Sequence, residues 1–491
     1  MTLSRAIVAG LTAVTISLTG CVAGPNYKRP SAPAPPAYKE NGGTTATVPP
    51  PPDLPGGQWK PAQPGDQALR GKWWEIYGDP ALNALEEKVS LSNQSLKAAQ
   101  QQYLQARAAV EQVRSNLYPT LNLGTSASRD KLSLNRPLSG TLSRSQYNDF
   151  TLTGQATWEP DFWGQIRRGV EASTSTAQAT AAELANVELS LRSDLVVDYF
   201  QLRGLDTQKQ LLDASVISYQ HYYDLTVTRF KGGVSTQSDV DLADTQLQTT
   251  KAQAIDVAVA RAQFEHAIAT LTGEPASSLS LPPAPLDLAL PQLPTGMPSE
   301  LLERRPDIAG FERRMQAANA QIGIARSAYY PNIPLNGGGG LESVALGTLV
   351  QGPSTLWSVG GSAIETFFDA GRRRSVSQQA QAGYEVAVAN YRESVLNAFQ
   401  EVEDNLAALR ILQDEAVTEQ AAVAAAQRSL NLSTSRYKDG VTTYLEVLIA
   451  QTALLTNQRT AAQIATRQFV ANVQLIKALG GGWDTTRLPK I

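Results

Sequence analysis

Few residues in this chain have the types and spacing that chemistry needs. Among 491 residues there are two histidines, His221 and His266, and one cysteine, Cys21. Each histidine stands alone in a helical run, which leaves little material for a zinc site or a His-based triad. A single cysteine excludes an internal disulfide and a cysteine-built metal centre. The carboxylates have no histidine or nucleophile constellation around them. Gly337-Gly338-Gly339-Gly340 lacks the Gly-Lys-Ser/Thr that would follow in a phosphate cradle, and it reads as close packing in a β wall. A formal net charge of −3 excludes a dedicated nucleic-acid binder, whose surface would be basic. No enzyme, metal or cofactor is expected, apart from a covalent lipid on Cys21.

That lipid is read from the N-terminus. Residues 1–5 carry one positive charge, residues 6–18 are apolar, and Leu18-Thr19-Gly20-Cys21 closes the run. This is the pattern of a bacterial export signal over residues 1–20, too short to span a bilayer comfortably. The tetrapeptide resembles a lipobox, in which the cysteine sulfur takes a diacylglycerol. The alternative is a plain signal peptide, but the sole cysteine sits where lipidation needs it. Val22 in place of Asp implies, by resemblance to bacterial lipoproteins, the outer rather than the inner membrane. Residues 21–70, with Pro49-Pro50-Pro51-Pro52 near their centre, read as a Pro-rich tether. No later stretch is long and apolar enough for a membrane helix, so the mature chain is held by lipid or also crosses as a barrel.

The elements that position these residues come in duplicate. Residues 106–119, ending Leu117-Tyr118-Pro119, resemble residues 318–331, ending Tyr329-Tyr330-Pro331. Asp161-Phe162-Trp163-Gly164-Gln165-Ile166-Arg167-Arg168 parallels Phe367-Phe368-Asp369-Ala370-Gly371-Arg372-Arg373-Arg374. Arg229-Phe230-Lys231-Gly232-Gly233-Val234 matches Arg436-Tyr437-Lys438-Asp439-Gly440-Val441. The three matches keep their order and nearly one separation, which defines an internal repeat. Repeat 1 is expected over 71–275 with a strand pair in 119–160, a connector over 276–305, and repeat 2 over 306–482 with a strand pair in 331–368. Residues 483–491 form a tail.

No proline interrupts the stretch between Pro160 and Pro275, or that between Pro353 and Pro489. Leu184, Val187, Leu191, Leu195, Tyr199 and Leu202 recur at spacings of three and four, as do Tyr384, Val388, Tyr391, Val395, Ala398, Val402, Leu406 and Leu409. The period predicts coiled-coil-like helices, each about 65 to 70 residues and on the order of 100 Å long. Asp161 and Asp369 are candidate N-caps, and Gly204 and Gly383 are possible kink sites.

Between the helices the period changes to two. Phe150, Leu152, Gly154, Ala156 and Trp158 alternate with polar residues. Leu121, Leu123, Thr125 and Ala127 do so more weakly, as do Trp357, Val359, Gly361, Ala363 and Phe367. Tyr118, Tyr329 and Tyr330 precede the strand pairs, and Trp158, Phe162, Trp163, Phe367 and Phe368 follow them. In up-and-down hairpins both ends lie at one level, so these rings are expected to form one interfacial belt. Arg167-Arg168 and Arg372-Arg373-Arg374 lie just beyond it and either meet lipid phosphates, lie on solvated helix faces or form ion pairs. Four strands cannot close a barrel and open edges are intolerable in lipid, so oligomerisation is expected; three chains give twelve strands and begin to leave a lumen.

These features together resemble the TolC-like outer-membrane factors of tripartite efflux systems, closest to their OprM/NodT-type lipoprotein branch. The resemblance covers essentially the whole mature chain. Its markers are residues 21–27, Trp73-Trp74-Glu75-Ile76-Tyr77-Gly78-Asp79-Pro80, Trp158-Glu159-Pro160-Asp161-Phe162-Trp163-Gly164, Leu302-Glu303-Arg304-Arg305-Pro306-Asp307-Ile308 and Tyr444-Leu445-Glu446-Val447-Leu448. It implies a mainly α chain whose homotrimer closes a twelve-strand membrane barrel above a helical periplasmic tunnel in a Gram-negative outer membrane. A periplasmic adaptor would dock at the far end and join it to an inner-membrane pump of RND type. The gate would lie past the second turn, at Leu445 with Thr443, Glu446 and Ile449. Ile449 stands where the branch has Asp, which puts an acidic ring there in doubt; Asp239, Asp241 and Asp244 follow the first turn instead. The turns themselves, Arg229, Lys231, Gly232, Gly233 and Val234 with Arg436, Lys438, Asp439, Gly440 and Val441, are the expected adaptor contacts. A poreless lipid-anchored scaffold, or a duct for proteins or polysaccharides, remains an alternative.

Overall fold

A computed structural model describes residues 22–31, 35, 37–40, 71–131, 133, 146–291, 293 and 301–490. Cys21, the leader and Pro49-Pro50-Pro51-Pro52 lie outside the described residues. The helices are α1 (Pro80–Ser92), α2 (Gln94–Ser115), α3 (Gln165–Lys231), α4 (Gln237–Leu271), α5 (Leu301–Arg304), α6 (Pro306–Ser327), α7 (Arg372–Lys438) and α8 (Tyr444–Ala478). The strands are β1 (Thr120–Lys131), β2 (Gln146–Trp158), β3 (Leu335–Ser343) and β4 (Thr355–Gly361).

The repeat is kept to the residue: α2 and α6 each have 22 residues, α3 and α7 each 67, and α4 and α8 each 35. The long helices run on the order of 100 Å. Neither is broken at the expected kink sites. Gly204 instead marks a close approach, because a Cβ there would run into the Thr466 side chain on α8.

The candidate N-caps act differently from expectation. Gly164 and Gly371, both left-handed, precede α3 and α7. The Asp161 carboxylate reaches past Gly164 to accept from the backbone N–H of Ile166 and Arg167. Asp369 accepts likewise from Gly371 and Arg373. A chain reversing into a helix leaves first-turn donors pointing backwards, and a carboxylate upstream can satisfy them as well as one at the cap.

Next to the strands the helices stand in the order α2–α3–α6–α7. Further down, α3 packs on α4 and α8, and α7 on α8. The strands pair in the order β1–β2–β3–β4, all antiparallel, so each strand continues a helix of the same rank. The main core gathers where a 3-10 turn, Trp73–Tyr77, and α1 lie on the middle of α3. There Trp73, Trp74, Tyr77, Leu82, Leu85 and Val89 bury against Leu195, Tyr199 and Phe200. The marker residues have structural tasks: Asp79 caps α1, and Tyr77 donates to Asn472. Arg305 ties the start of α6 to Asp307, Glu401 and the Ala478 carbonyl at the end of α8.

The tether reading needs correcting for its first part. Tyr38 is buried beside α6 and α7, Arg29 donates to the Tyr391 hydroxyl, and Glu403 accepts from the backbone N–H of Lys39 and Glu40. Average Pro-rich composition predicted little burial, but the rings and charges of these few residues dock the segment on the helices.

Candidate functional site: a membrane sheet and a helical tip

The register assigns side chains to two faces. Leu121, Leu123, Leu152, Gly154, Ala156, Trp158, Leu335, Gly337, Gly339, Leu341, Trp357 and Val359 share one; Asn122, Ser126, Thr151, Thr153, Gln155, Asn336 and Ser358 share the other. Leu121, Leu123, Trp357 and Val359 are 78–81% exposed. So much bare apolar area on one sheet face is untenable in water and is suited to lipid. β1 and β4 each pair on one side only, which leaves two open edges. β4 ends at Gly361, so Ala363 and Phe367 fall outside the alternation expected of them.

The expected belt residues do collect at one end of the sheet, since Thr120 pairs with Thr157, Trp158 with Leu335, and Leu335 with Gly361. Trp163 stacks on Tyr330 at 4.8 Å and donates to the Pro331 carbonyl, while Trp158 donates to that of Leu117. Tyr118, Phe162, Tyr329, Phe367 and Phe368 are exposed there. Three of the neighbouring arginines are occupied within the chain. Arg167 pairs with Asp161, buried Arg168 with Glu171 and Asn26, and Arg373 with Asp369 and Glu365 while lying over Tyr329. Arg372 and Arg374 are exposed. Ala23 donates its N–H to the Trp163 carbonyl, so the chain leaves residue 22 beside the belt.

At the opposite end, both long helices close in the same motif. The Gly233 and Val234 N–H groups donate to the Phe230 and Arg229 carbonyls, and those of Gly440 and Val441 to Tyr437 and Arg436. Gly233 and Gly440 each have φ +75°, the left-handed residue this closure requires. Lys231, Gly232, Val234, Lys438, Asp439 and Val441 are exposed, as expected of a tip.

The two turns are also joined. Arg229 donates to the Tyr437 carbonyl at 3.0 Å and the Lys438 carbonyl at 3.3 Å, with its guanidinium 4.6 Å from the Tyr437 ring centre. Those carbonyls close α7, and although that of Tyr437 already accepts from Gly440, a cation beside both adds hydrogen bonds and complements the helix dipole. Arg436, its repeat counterpart, pairs instead with Glu446 at 3.7 Å. Beneath this clamp Tyr219, Tyr222, Tyr437 and Tyr444 join α3, α7 and α8. Tyr222 bonds Thr434, Tyr437 bonds Thr226, and Tyr219 donates to the Gln451 carbonyl. The clamp was not read from the sequence; the one signal was the exchange of Phe230 for Tyr437 between matched turns.

Leu445 and Ile449 lie one helical turn apart on α8, exposed by 49% and 61%. Thr443 precedes them at the cap position without a side-chain cap bond. Asp239 completes a capping box with Thr236 and accepts from Ser235. Burial acts to raise its carboxyl, but bonds from Thr236 and Ser235 outweigh burial and hold it below the usual carboxylate value. Asp241 and Asp244 accept from Gln237 and Gln248 on the surface of α4.

A half-apolar sheet with open edges, carried on rods that end in paired closed turns, is the layout of a channel subunit. The chain belongs to the outer membrane efflux protein family, which matches it over residues 85–274 and 297–481. It is 31% identical to the pyoverdine export outer membrane protein OpmQ of Pseudomonas aeruginosa, over 88% of this chain and 92% of that one. It is 28% identical to the cation efflux system protein CusC of Escherichia coli O6:H1, over 96% of this chain and 98% of the relative. The solved outer-membrane channel OprN superposes with a TM-score of 0.83 at 29% identity, covering 94% of this chain and all of that one. The protein is therefore an outer-membrane efflux channel subunit that extends into the periplasm.

Proposed function

We propose that three copies close β1 of one chain against β4 of the next, forming a lipid-anchored exit duct that a periplasmic adaptor and an RND-type pump feed from its tip. The observation that carries this reading is the Arg229 clamp, because a duct must hold its tip shut until a partner arrives. Cys21 is the lipid site, and the position of Val22 and Ala23 beside the Trp163 belt supports an acyl anchor at that level. Leu445, with Ile449 a turn below, narrows the aperture, and the exposed turns receive the adaptor. The cargo is small molecules; OpmQ and CusC are named for export of unlike cargo, which fits selection upstream of the duct.

Planar-bilayer recording of the purified trimer tests this. Discrete conductance steps are expected, with Arg229→Gln raising the open fraction several-fold. Silence from well-folded trimers of both proteins would overturn the reading.

A further inference from the structure

At the end of the sheet far from the aromatic belt, strand alternation sorts charge by sign. β1 and β2 pair without a bulge from Thr120 with Thr157 to Lys131 with Gln146, so Arg129 and Lys131 share the lipid face with Leu121 and Leu123. Opposite them stand the neutral amides Asn148 and Gln146. Asp130, between the two cations in sequence, lies on the polar face with Asp149 and accepts there from Ser128. Glu342, opposite Thr151, is on that face too. Arg129 and Lys131 are exposed and have no ion-pair partner among the described residues. Residues 132–145 contain no Asp or Glu, and neither do residues 343–364, which include β4 and the loop before it. A second copy laying its β4 beside β1 therefore adds no carboxylate.

We propose that Arg129 and Lys131 bind the phosphate of a phosphorylated glycolipid in the outer leaflet, whose acyl chains lie on the apolar face below. Height supports this occupant. From Thr120 beside the belt to Arg129 the strand runs about 30 Å, or roughly 23 Å along the membrane normal at a barrel's usual tilt. The apolar band of such barrels is about 25 Å tall, so both cations stand at its outer margin. The helices extend into the periplasm, so that margin faces outward. Ala127, Phe150, Leu152 and Leu341 continue the same face directly beneath, which suits an anion carrying acyl chains rather than a soluble one.

Spacing makes the pair more than two cations reaching for water. Alternate residues on one strand face are about 7 Å apart, a gap that two long side chains close by converging on a single phosphate. Arg129 offers a planar fork for two phosphate oxygens, and Lys131 a point charge. The side-chain amides of Asn148 and Gln146 can donate to further phosphate or sugar oxygens. On the opposite side of the wall, Asp130, Asp149 and Glu342 repel the same anion, which confines it to the lipid side.

The test is titration of the delipidated, detergent-solubilised protein with bisphosphorylated lipid A, read by native mass spectrometry, against the same lipid after enzymatic dephosphorylation. Wild type is expected to bind the phosphorylated lipid, and more weakly as salt rises. Arg129→Gln and Lys131→Gln should each weaken binding about fivefold, and the double variant about thirtyfold. Both positions are exposed, so the variants should keep the wild-type oligomer size and melting temperature. Asp130→Asn, at the same height on the polar face, should not weaken binding. Inorganic phosphate at equal phosphorus concentration should not displace the lipid. No binding by wild type, equal binding by the double variant, equal binding of the dephosphorylated lipid, or displacement by inorganic phosphate would each overturn the proposal.

Discussion

Leu445 and Asp239 follow the two turns of one tip, yet they answer to different physics. An apolar side chain half exposed beside the aperture has a steric role, so Leu445→Ala should raise single-channel conductance while leaving trimer melting unchanged within a degree. Asp239→Ala should instead remove half of a capping box and cost roughly 1 kcal/mol, read as lowered melting with little change in conductance. Glu86, buried on α1 with neither carboxyl oxygen partnered among the described residues, adds a pH signature because burial disfavours its charged form. Its folded value near 9 stands above the unfolded 4.5, so the folded state holds the extra proton between them. Stability contributed by this group is present below about pH 4.5 and falls by at most about 1.4 kcal/mol per unit up to about pH 9. Melting of Glu86→Gln followed from pH 5 to pH 9 should lack that decline. The residue scale was the least legible in the sequence. Cys21 stood out by being alone, but Arg229 and Glu86 take their meaning from partners, present or missing, that lie far away along the chain.

Helices and strands were easier to read. Proline-free runs bounded by matched turns fixed both long helices, because glycine closure and N-terminal capping are local. The docked segment around Tyr38 was hidden because composition averaged over residues 21–70 dilutes a few anchoring side chains. The Gly204 contact was equally hidden: a small residue in a helix reads as a hinge until the neighbour is known. Gly204→Val should therefore lower melting, by about 1–3 kcal/mol of overpacking against Thr466, rather than alter helix content by circular dichroism. For the sheet, Val359→Arg on the apolar face should destabilise by about 2–4 kcal/mol in denaturant unfolding from bilayers. Thr153→Arg on the polar face should leave stability intact and shift the reversal potential toward anions.

Taken whole, the molecule is a pair of units with equal long helices whose closing turns are held differently. Equal helix lengths bring both turns of a chain to the same depth, yet Arg229 reaches across to α7 while Arg436 turns to Glu446. A partner meeting the tips of three chains would thus find three clamped and three unclamped helix ends in alternation. The uninterrupted rods give this a mechanical consequence. Over a lever on the order of 100 Å, a tilt of about one degree at the Trp163 junction carries the tip nearly 2 Å. That displacement exceeds what the Arg229 hydrogen bonds can stretch to follow, while the stacked rings at the fulcrum hardly move. Angular play at the membrane is thereby amplified into separation at the far end.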